Sequence, residues 1–377
     1  MTCRRLLYGT MIAPPSERYF ALGDVVQPLL GLLVEMEKKS KQRNALIRRI
    51  AAIVITGVTF YIIFPALLRV ISAWPRLSSL APAWLAVMVV TEAISFFCSM
   101  ALQRMVLRAK SWFAIITASL AGNAVTNVLP GGDAVGASVQ FQMLVTSGVD
   151  SVQAAGGLAT ASLLGIAGLF ALPVFVLPAI AGGLSVKSGL LFAALLGIVG
   201  FVLLVAAGAV VLKFDRVLYW VGSFVQWILN KVHRRKTPSQ DLSERLIAER
   251  DSVRKELGRN WRMALLAVAG RIGLDYLCLL SALYAAGARP NPPLVLLAYA
   301  ATAVIALIPL TPGGLGIVEA SLSGLLILAG VKPDRAVLAT LAFRLASYWL
   351  PIMAGAVSYF LFRHRYGKSK VSLAEPS

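Results

Sequence analysis

The sequence predicts an all-α, polytopic integral membrane protein built on an inverted repeat with two re-entrant helical hairpins. Three observations carry that prediction. Of the 377 residues, 58% are hydrophobic and only 14% charged, where a soluble domain carries about 25% charged residues. Apolar runs long enough to cross a bilayer recur along the chain. Pro-Gly-Gly occurs twice in matching surroundings, at Pro130-Gly131-Gly132 and Pro312-Gly313-Gly314, 182 residues apart.

The repeat extends well beyond the motif. Gly148 and Gly330 each follow their proline by 18 residues, and at the same offset the apolar runs 82–107 and 153–180 fall on 264–289 and 335–362. Repeat A therefore covers about 82–180 and repeat B about 264–362. A unit near a hundred residues is a duplicated half rather than a solenoid repeat.

In chain order, 1–50 is a basic arm with Arg4, Arg5, Lys38, Lys39, Lys41, Arg43, Arg48 and Arg49. Its apolar run 20–34 is too short to span and no cleavage pattern follows it; translation starts at Met1, Met11 or Met36. The transmembrane domain covers 51–363. Its first span is about 51–71, since roughly 20 apolar residues cross a hydrocarbon layer of about 30 Å. The second is 82–107. Two shorter pieces, 112–130 and 133–147, meet at the first Pro-Gly-Gly, and spans 153–180 and 189–213 follow. The polar segment 214–262 carries 11 Lys/Arg against 6 Asp/Glu, and its part 241–257 reads as a charged helix. Span 264–289, pieces 293–311 and 315–330 around the second Pro-Gly-Gly, span 335–362 and a basic tail, 364–377, complete the chain.

Lys and Arg outnumber Asp and Glu 36 to 17. Because the basic residues sit between apolar runs, the excess reads as basic cytoplasmic loops rather than as a nucleic-acid surface. The N-terminal arm, 104–110, 214–262 and the tail are the basic segments, which puts both termini in the cytoplasm. Each Pro-Gly-Gly unit must then begin and end on one face: 112–150 on the inside, 292–332 on the outside. Two crossings or a re-entrant hairpin satisfy this. The short second arms, and a helix break rich in proline and glycine, favour hairpins. Entry from opposite faces makes the repeat inverted, the arrangement of many carriers whose site lies at mid-membrane between broken helices.

At each tip the second hairpin helix is expected to begin just after the glycines, with its N-terminal N–H groups near the bilayer centre. Helix N-termini favour anions, and glycine admits a ligand to the backbone. Gly131, Gly132, Gly313 and Gly314 are therefore candidate lipid-headgroup contacts, with Asn127 as a neutral donor; tight helix packing accounts for the same glycines. Ionisable residues inside spans are functional candidates by default. Glu319 and Arg344 fall at similar depth, about 15–17 Å from the outer surface at 1.5 Å per residue. They are expected to pair, either as a structural lock or with Arg344 holding lipid phosphate and Glu319 orienting it or carrying a proton. Glu92, Asp133 and Asp275 are candidate proton or cation sites; Glu92 and Asp275 occupy nearly equivalent repeat positions, and Asp133 is placed to cap a helix N-terminus. Arg271 is expected to snorkel toward the inner end. Asn123, Thr126, Gln140 and Gln142 supply neutral polarity, or simply interhelical hydrogen bonds. With three cysteines and two histidines, no zinc spacing, disulfide framework or hydrolytic triad is formed, and neither a metal nor a cofactor is expected.

Residues Pro309 to Ala320 (PLTPGGLGIVEA), then Ala342-Phe343-Arg344-Leu345 and Tyr348-Trp349-Leu350-Pro351, resemble the signature of the lysylphosphatidylglycerol synthase transmembrane-region family, also described as flippase-like domain proteins. Asn127 to Gly136 resembles that family's other hairpin, though Asp133 is followed here by Ala134-Val135-Gly136-Ala137-Ser138, where relatives often carry an acidic residue and an arginine. The resemblance implies a membrane protein, not an enzyme, that moves an anionic phospholipid or lipid-linked precursor between leaflets. It implies no aminoacyl-transferase domain after Ser377. The alternative is a non-transporting subunit that scaffolds a glycosyltransferase or lipid synthase through 214–262. Expected partners are membrane lipids, with a second copy of the chain or a glycosyltransferase as protein partners.

Overall fold

The computed structural model describes residues 82–129, 132–213, 241–308 and 311–366. The 1–50 arm, span 51–71, residues 72–81, Pro130 and Gly131, segment 214–240, Pro309 and Leu310, and the end of the tail from 367 lie outside the described residues. Every described element is helical. Pro82–Val106 (α1), Trp112–Val128 (α2), Gly132–Thr146 (α3) and Ser151–Ala171 (α4) come first. A 3₁₀ turn, Leu172–Val176, and the single-turn helix Leu177–Ala181 (α5) prolong α4, and Ser188–Lys213 (α6) follows. The polar helix Asp241–Arg259 (α7) precedes Trp261–Ala285 (α8) and Pro292–Ala306 (α9). The 3₁₀ turn Pro312–Gly314, then Ile317–Leu328 (α10), Pro333–Arg344 (α11), a π-turn at Leu345–Trp349 and Leu350–Tyr366 (α12) complete the order.

Among the described residues five helices are long and apolar enough to span a membrane: Pro82–Val106, Ser151–Ala181, Ser188–Val210, Trp261–Ala285 and Pro333–Tyr366. Each coincides within a few residues with a run read from the sequence. The hairpin arms differ in length. α2 has 17 residues, α3 and α9 have 15, and α10 has 12. At 1.5 Å per residue they reach about 18–26 Å, short of a hydrocarbon layer about 30 Å thick.

Two of the three packing centres among the described residues hold the hairpins. In one, Met88, Leu279, Leu283, Val295, Leu322 and Leu326 are buried where α1, α8, α9 and α10 meet. In the other, Met100, Ile115, Met143, Leu144 and Phe362 join α1, α2, α3 and α12. The offset of 182 maps α1 onto α8, and these two helices pack directly on one another. Each hairpin also leans on the other repeat: α2 packs along α12, while α9 packs on the Leu172–Val176 turn.

Small residues permit the tightest crossings. A Cβ on Gly136 of α3 would stand 1.9 Å from Thr126 Oγ1 and 2.5 Å from the Gly122 carbonyl of α2. One on Gly355 of α12 would stand 2.3 Å from the Leu120 carbonyl. Close backbone approach at small residues is the usual means of helix association where lipid removes the hydrophobic drive.

Segments assigned to one membrane face gather at one end of the helices. Arg108 bonds Ser252 of α7, and Arg365 lies 4.7 Å over the Phe113 ring at the start of the first hairpin. Segments assigned to the other face also meet: Arg335 donates to the Gly287 carbonyl, and the Tyr276 hydroxyl donates to the Pro292 carbonyl (2.7 Å).

Candidate functional site

The site is assembled around the second glycine turn. Pro312 opens it, and Gly313, Gly314 and Gly316 all take left-handed backbone, with φ of 56°, 67° and 83°; side chains larger than glycine rarely adopt that region. Close approach adds a second requirement at Gly313. A Cβ there would lie 2.4 Å from Tyr348 Cε2 and 2.9 Å from Asn127 Oδ1. The bare backbone thus lets the turn, the first hairpin and the last helix meet at one point.

The run of left-handed residues delays the helix. α3 begins at the glycines of its turn, as expected, but α10 starts only at Ile317. Its N-terminus is already occupied: the Gly316 N–H donates to Glu319 Oε2 (2.6 Å). Glu319, expected to pair with Arg344 and to orient a phosphate or carry a proton, therefore also supplies the negative charge that a helix N-terminus attracts.

Glu319 has a second contact. Its Oε1 accepts from Arg344 Nε (2.8 Å), and the two side chains are 17% and 10% exposed. Arg344 Nη2 donates to the Gly313 carbonyl (2.9 Å), and the guanidinium lies 4.1 Å over the Tyr348 ring. Its third nitrogen, Nη1, has no hydrogen bond among the described residues. The Tyr348 hydroxyl donates to the Asn127 carbonyl (2.8 Å), and Asn127 Nδ2 donates to Asn123 Oδ1 (3.0 Å). Arg344 closes α11 and Tyr348 sits in the π-turn that follows, a local widening often found at functional positions. One guanidinium is thus fixed on two sides, stacked on its face, and placed where the ends of both hairpins meet.

A second polar group lies between α1 and α8. Glu92 and Asp275 are 4% and 8% exposed and adjoin one another. Asp275 Oδ2 accepts from the Tyr299 hydroxyl and stands 3.9 Å from Arg271 Nη1. Arg271 Nη1 also donates to Ser95 Oγ (2.9 Å) and its guanidinium lies 5.3 Å over Phe96. Arg271 therefore turns across to α1 rather than reaching along its helix toward an aqueous end.

Asp133 is exposed in the first turn of α3, beyond the cap position expected for it, and it joins neither group. Gly132 begins α3 with φ 50°. Gln140 donates to Gln103 of α1 (2.8 Å), an interhelical bond. The role of Tyr348 is not evident from the sequence pattern. The available signal was its place four residues past an intramembrane arginine, where an aromatic face can cover a cation. Tyr299, a tyrosine in an apolar run, offered no comparable signal.

Residues 47–355 match the family described as the lysylphosphatidylglycerol synthase transmembrane region. This chain belongs to that family. Within the lysylphosphatidylglycerol synthase transmembrane-region match lie both glycine turns, Arg344, Glu319 and the Glu92–Asp275 group. The chain is also 33% identical over 97 residues to a UPF0104 membrane protein of Methanothermobacter thermautotrophicus, covering 26% of this chain and 25% of that protein. It is 40% identical over 63 residues to a UPF0104 membrane protein of Pyrococcus horikoshii, covering 17% and 19%. The matched stretches thus span a quarter or less of those relatives. Family and spans together make this member of the lysylphosphatidylglycerol synthase transmembrane-region family a multi-pass membrane protein.

Proposed function

We propose that the protein moves an anionic phospholipid or a lipid-linked precursor between leaflets, with the phosphate of the headgroup held at Arg344. The observation that carries the reading is the buried guanidinium at the meeting point of two short hairpins. A mid-membrane cation is costly unless it serves structure or transport, and guanidinium suits phosphate recognition better than a lysine would. Arg344 is already oriented by Glu319 and Gly313, and Nη1, which has no hydrogen bond among the described residues, takes a ligand oxygen. Glu319 positions the arginine and balances its charge while no headgroup is bound. The hairpins enter from opposite faces, both termini lie in the cytoplasm, and no reaction is catalysed on the lipid.

The test is translocation in proteoliposomes. Purified protein is reconstituted with headgroup-labelled anionic, zwitterionic or polyprenyl-phosphate lipid, and an impermeant quencher reports the accessible leaflet. One phosphate-bearing class is expected to move faster than in empty vesicles and to lose that movement in a folded Arg344→Ala variant. Movement of no class above empty vesicles, or undiminished movement in the variant, overturns the reading.

A further inference from the structure

The group between α1 and α8 is charged in a way that structure alone does not require. Asp275 is complete, held by Tyr299 and facing Arg271. Glu92 is not: its Oε2 is buried and has no hydrogen-bond partner among the described residues, and the residue is only 4% exposed. Two carboxylates against one guanidinium leave one excess negative charge. An unpaired charge in a low-dielectric interior is strongly disfavoured, and a bound proton removes it. A metal ion suits the place less well, since hard cations gather six or more oxygen ligands. Among the described residues no three His, Cys, Asp or Glu side chains come together to hold one.

We propose that Glu92 and Asp275, braced by Arg271 across the α1–α8 interface, bind one transferable proton whose release and uptake are coupled to movement at Arg344. The groups facing Glu92 are Asp275, Arg271 and Cys278 of α8, with Tyr299 of α9 and Cys98 of α1 beside Arg271. α2 and α4, which also pack on α1, carry no charged side chain; the charged α7 packs on α1 as well, but through Val253 at Leu102 and Val106, ten or more residues along the helix from Glu92. Glu92 lies ten residues inside α1 and Asp275 ten residues from the end of α8, each about 15 Å from a helix end, so the proton sits at mid-depth. The route to the headgroup site is short. α8 packs on α11, which ends in Arg344, and α1 packs on the π-turn that carries Tyr348. Sliding α1 on α8 therefore changes the surroundings of the proton and of the arginine together. The site stands on its own geometry; its coupling rests on the transport reading above.

Infrared difference spectroscopy on the purified protein tests the site. Around neutral pH the wild type is expected to show the carbonyl stretch of a buried, protonated carboxylic acid, which disappears on alkaline titration. Glu92→Gln loses that band, and Glu92→Asp, which keeps the group, shifts it. Absence of the band in the wild type, or its persistence in Glu92→Gln, overturns the proton site. The second arm is lipid movement in proteoliposomes under an imposed pH gradient. The wild-type rate is expected to change with the gradient, and the Glu92→Gln rate not to respond. Wild-type movement that ignores the gradient overturns the coupling. If no lipid moves in any vesicle, the transport reading and the coupling fall together, while the infrared band still decides whether the proton is there.

Discussion

At the residue scale, Glu319 has two simultaneous duties, and this sets what its loss does. One carboxylate oxygen receives the Gly316 N–H and the other the Arg344 guanidinium. Removing one partner of a buried ion pair costs about 3–5 kcal/mol because the other charge is stranded. Arg344→Ala should fall near the lower end, about 3 kcal/mol, since Glu319 keeps its backbone donor and is 17% exposed. The double variant Arg344→Gln with Glu319→Gln should recover most of that loss, because no charge remains unpaired, while lipid movement stays absent. Thermal unfolding in detergent beside the translocation assay separates the two effects; a double variant that transports normally would make the pair purely structural. Tyr348→Phe removes only the hydroxyl on the Asn127 carbonyl. A loss of about 1 kcal/mol is expected from one neutral hydrogen bond, with the stacking on Arg344 preserved.

At the element scale, the helices tolerate added bulk only where no neighbour crosses. Gly136→Ala places its methyl against the Gly122 backbone and Thr126, and the backbone cannot yield as a flexible side chain would. Overpacking of this kind costs about 1–3 kcal/mol. Gly165→Ala in α4 meets nothing within 4 Å and should be neutral or stabilising by about 0.5–1 kcal/mol, the ordinary gain of alanine over glycine inside a helix. Comparing the two melting temperatures checks the hairpin crossing directly. The same contrast shows what the sequence made legible. Apolar length gave the five spans, because bilayer thickness dictates it, and the repeat gave the two pairs of short helices that meet at Pro-Gly-Gly. The pairing of Glu319 with Arg344 followed from their depths alone. The late start of α10 was hidden, since three left-handed glycines are needed to see it. So were Tyr348 and Tyr299, whose roles depend on which helix crosses which. Arg271 was misplaced for the same reason: a side chain long enough to snorkel is also long enough to reach a carboxylate on its own helix and a serine on the next.

At the scale of the whole molecule, depth and sidedness decide whether the two tips form one site. Residues 104–113, α7 and the end of α12 gather at one end of the helices, the end that the proposed topology, resting on the basic excess of these segments, turns to the cytoplasm. Four hairpin arms of 12 to 17 residues fall short of the hydrocarbon layer, so both tips should stop inside it. Single cysteines in a background lacking Cys3, Cys98 and Cys278 test this with an impermeant thiol reagent. A cysteine at Lys332 should react from outside in intact cells, and one at Lys110 only after permeabilisation. Position 133, at the first tip, and position 308, just before the second, carry the decisive contrast. If the units are hairpins entered from opposite faces, position 133 stays unreactive from outside and position 308 unreactive from inside. Had the units crossed fully, 133 would emerge outside and 308 inside, and each would react from that far face. Reaction from the far face at either position would separate the tips by the full membrane, and Arg344 could then no longer serve as a headgroup site shared by both repeats.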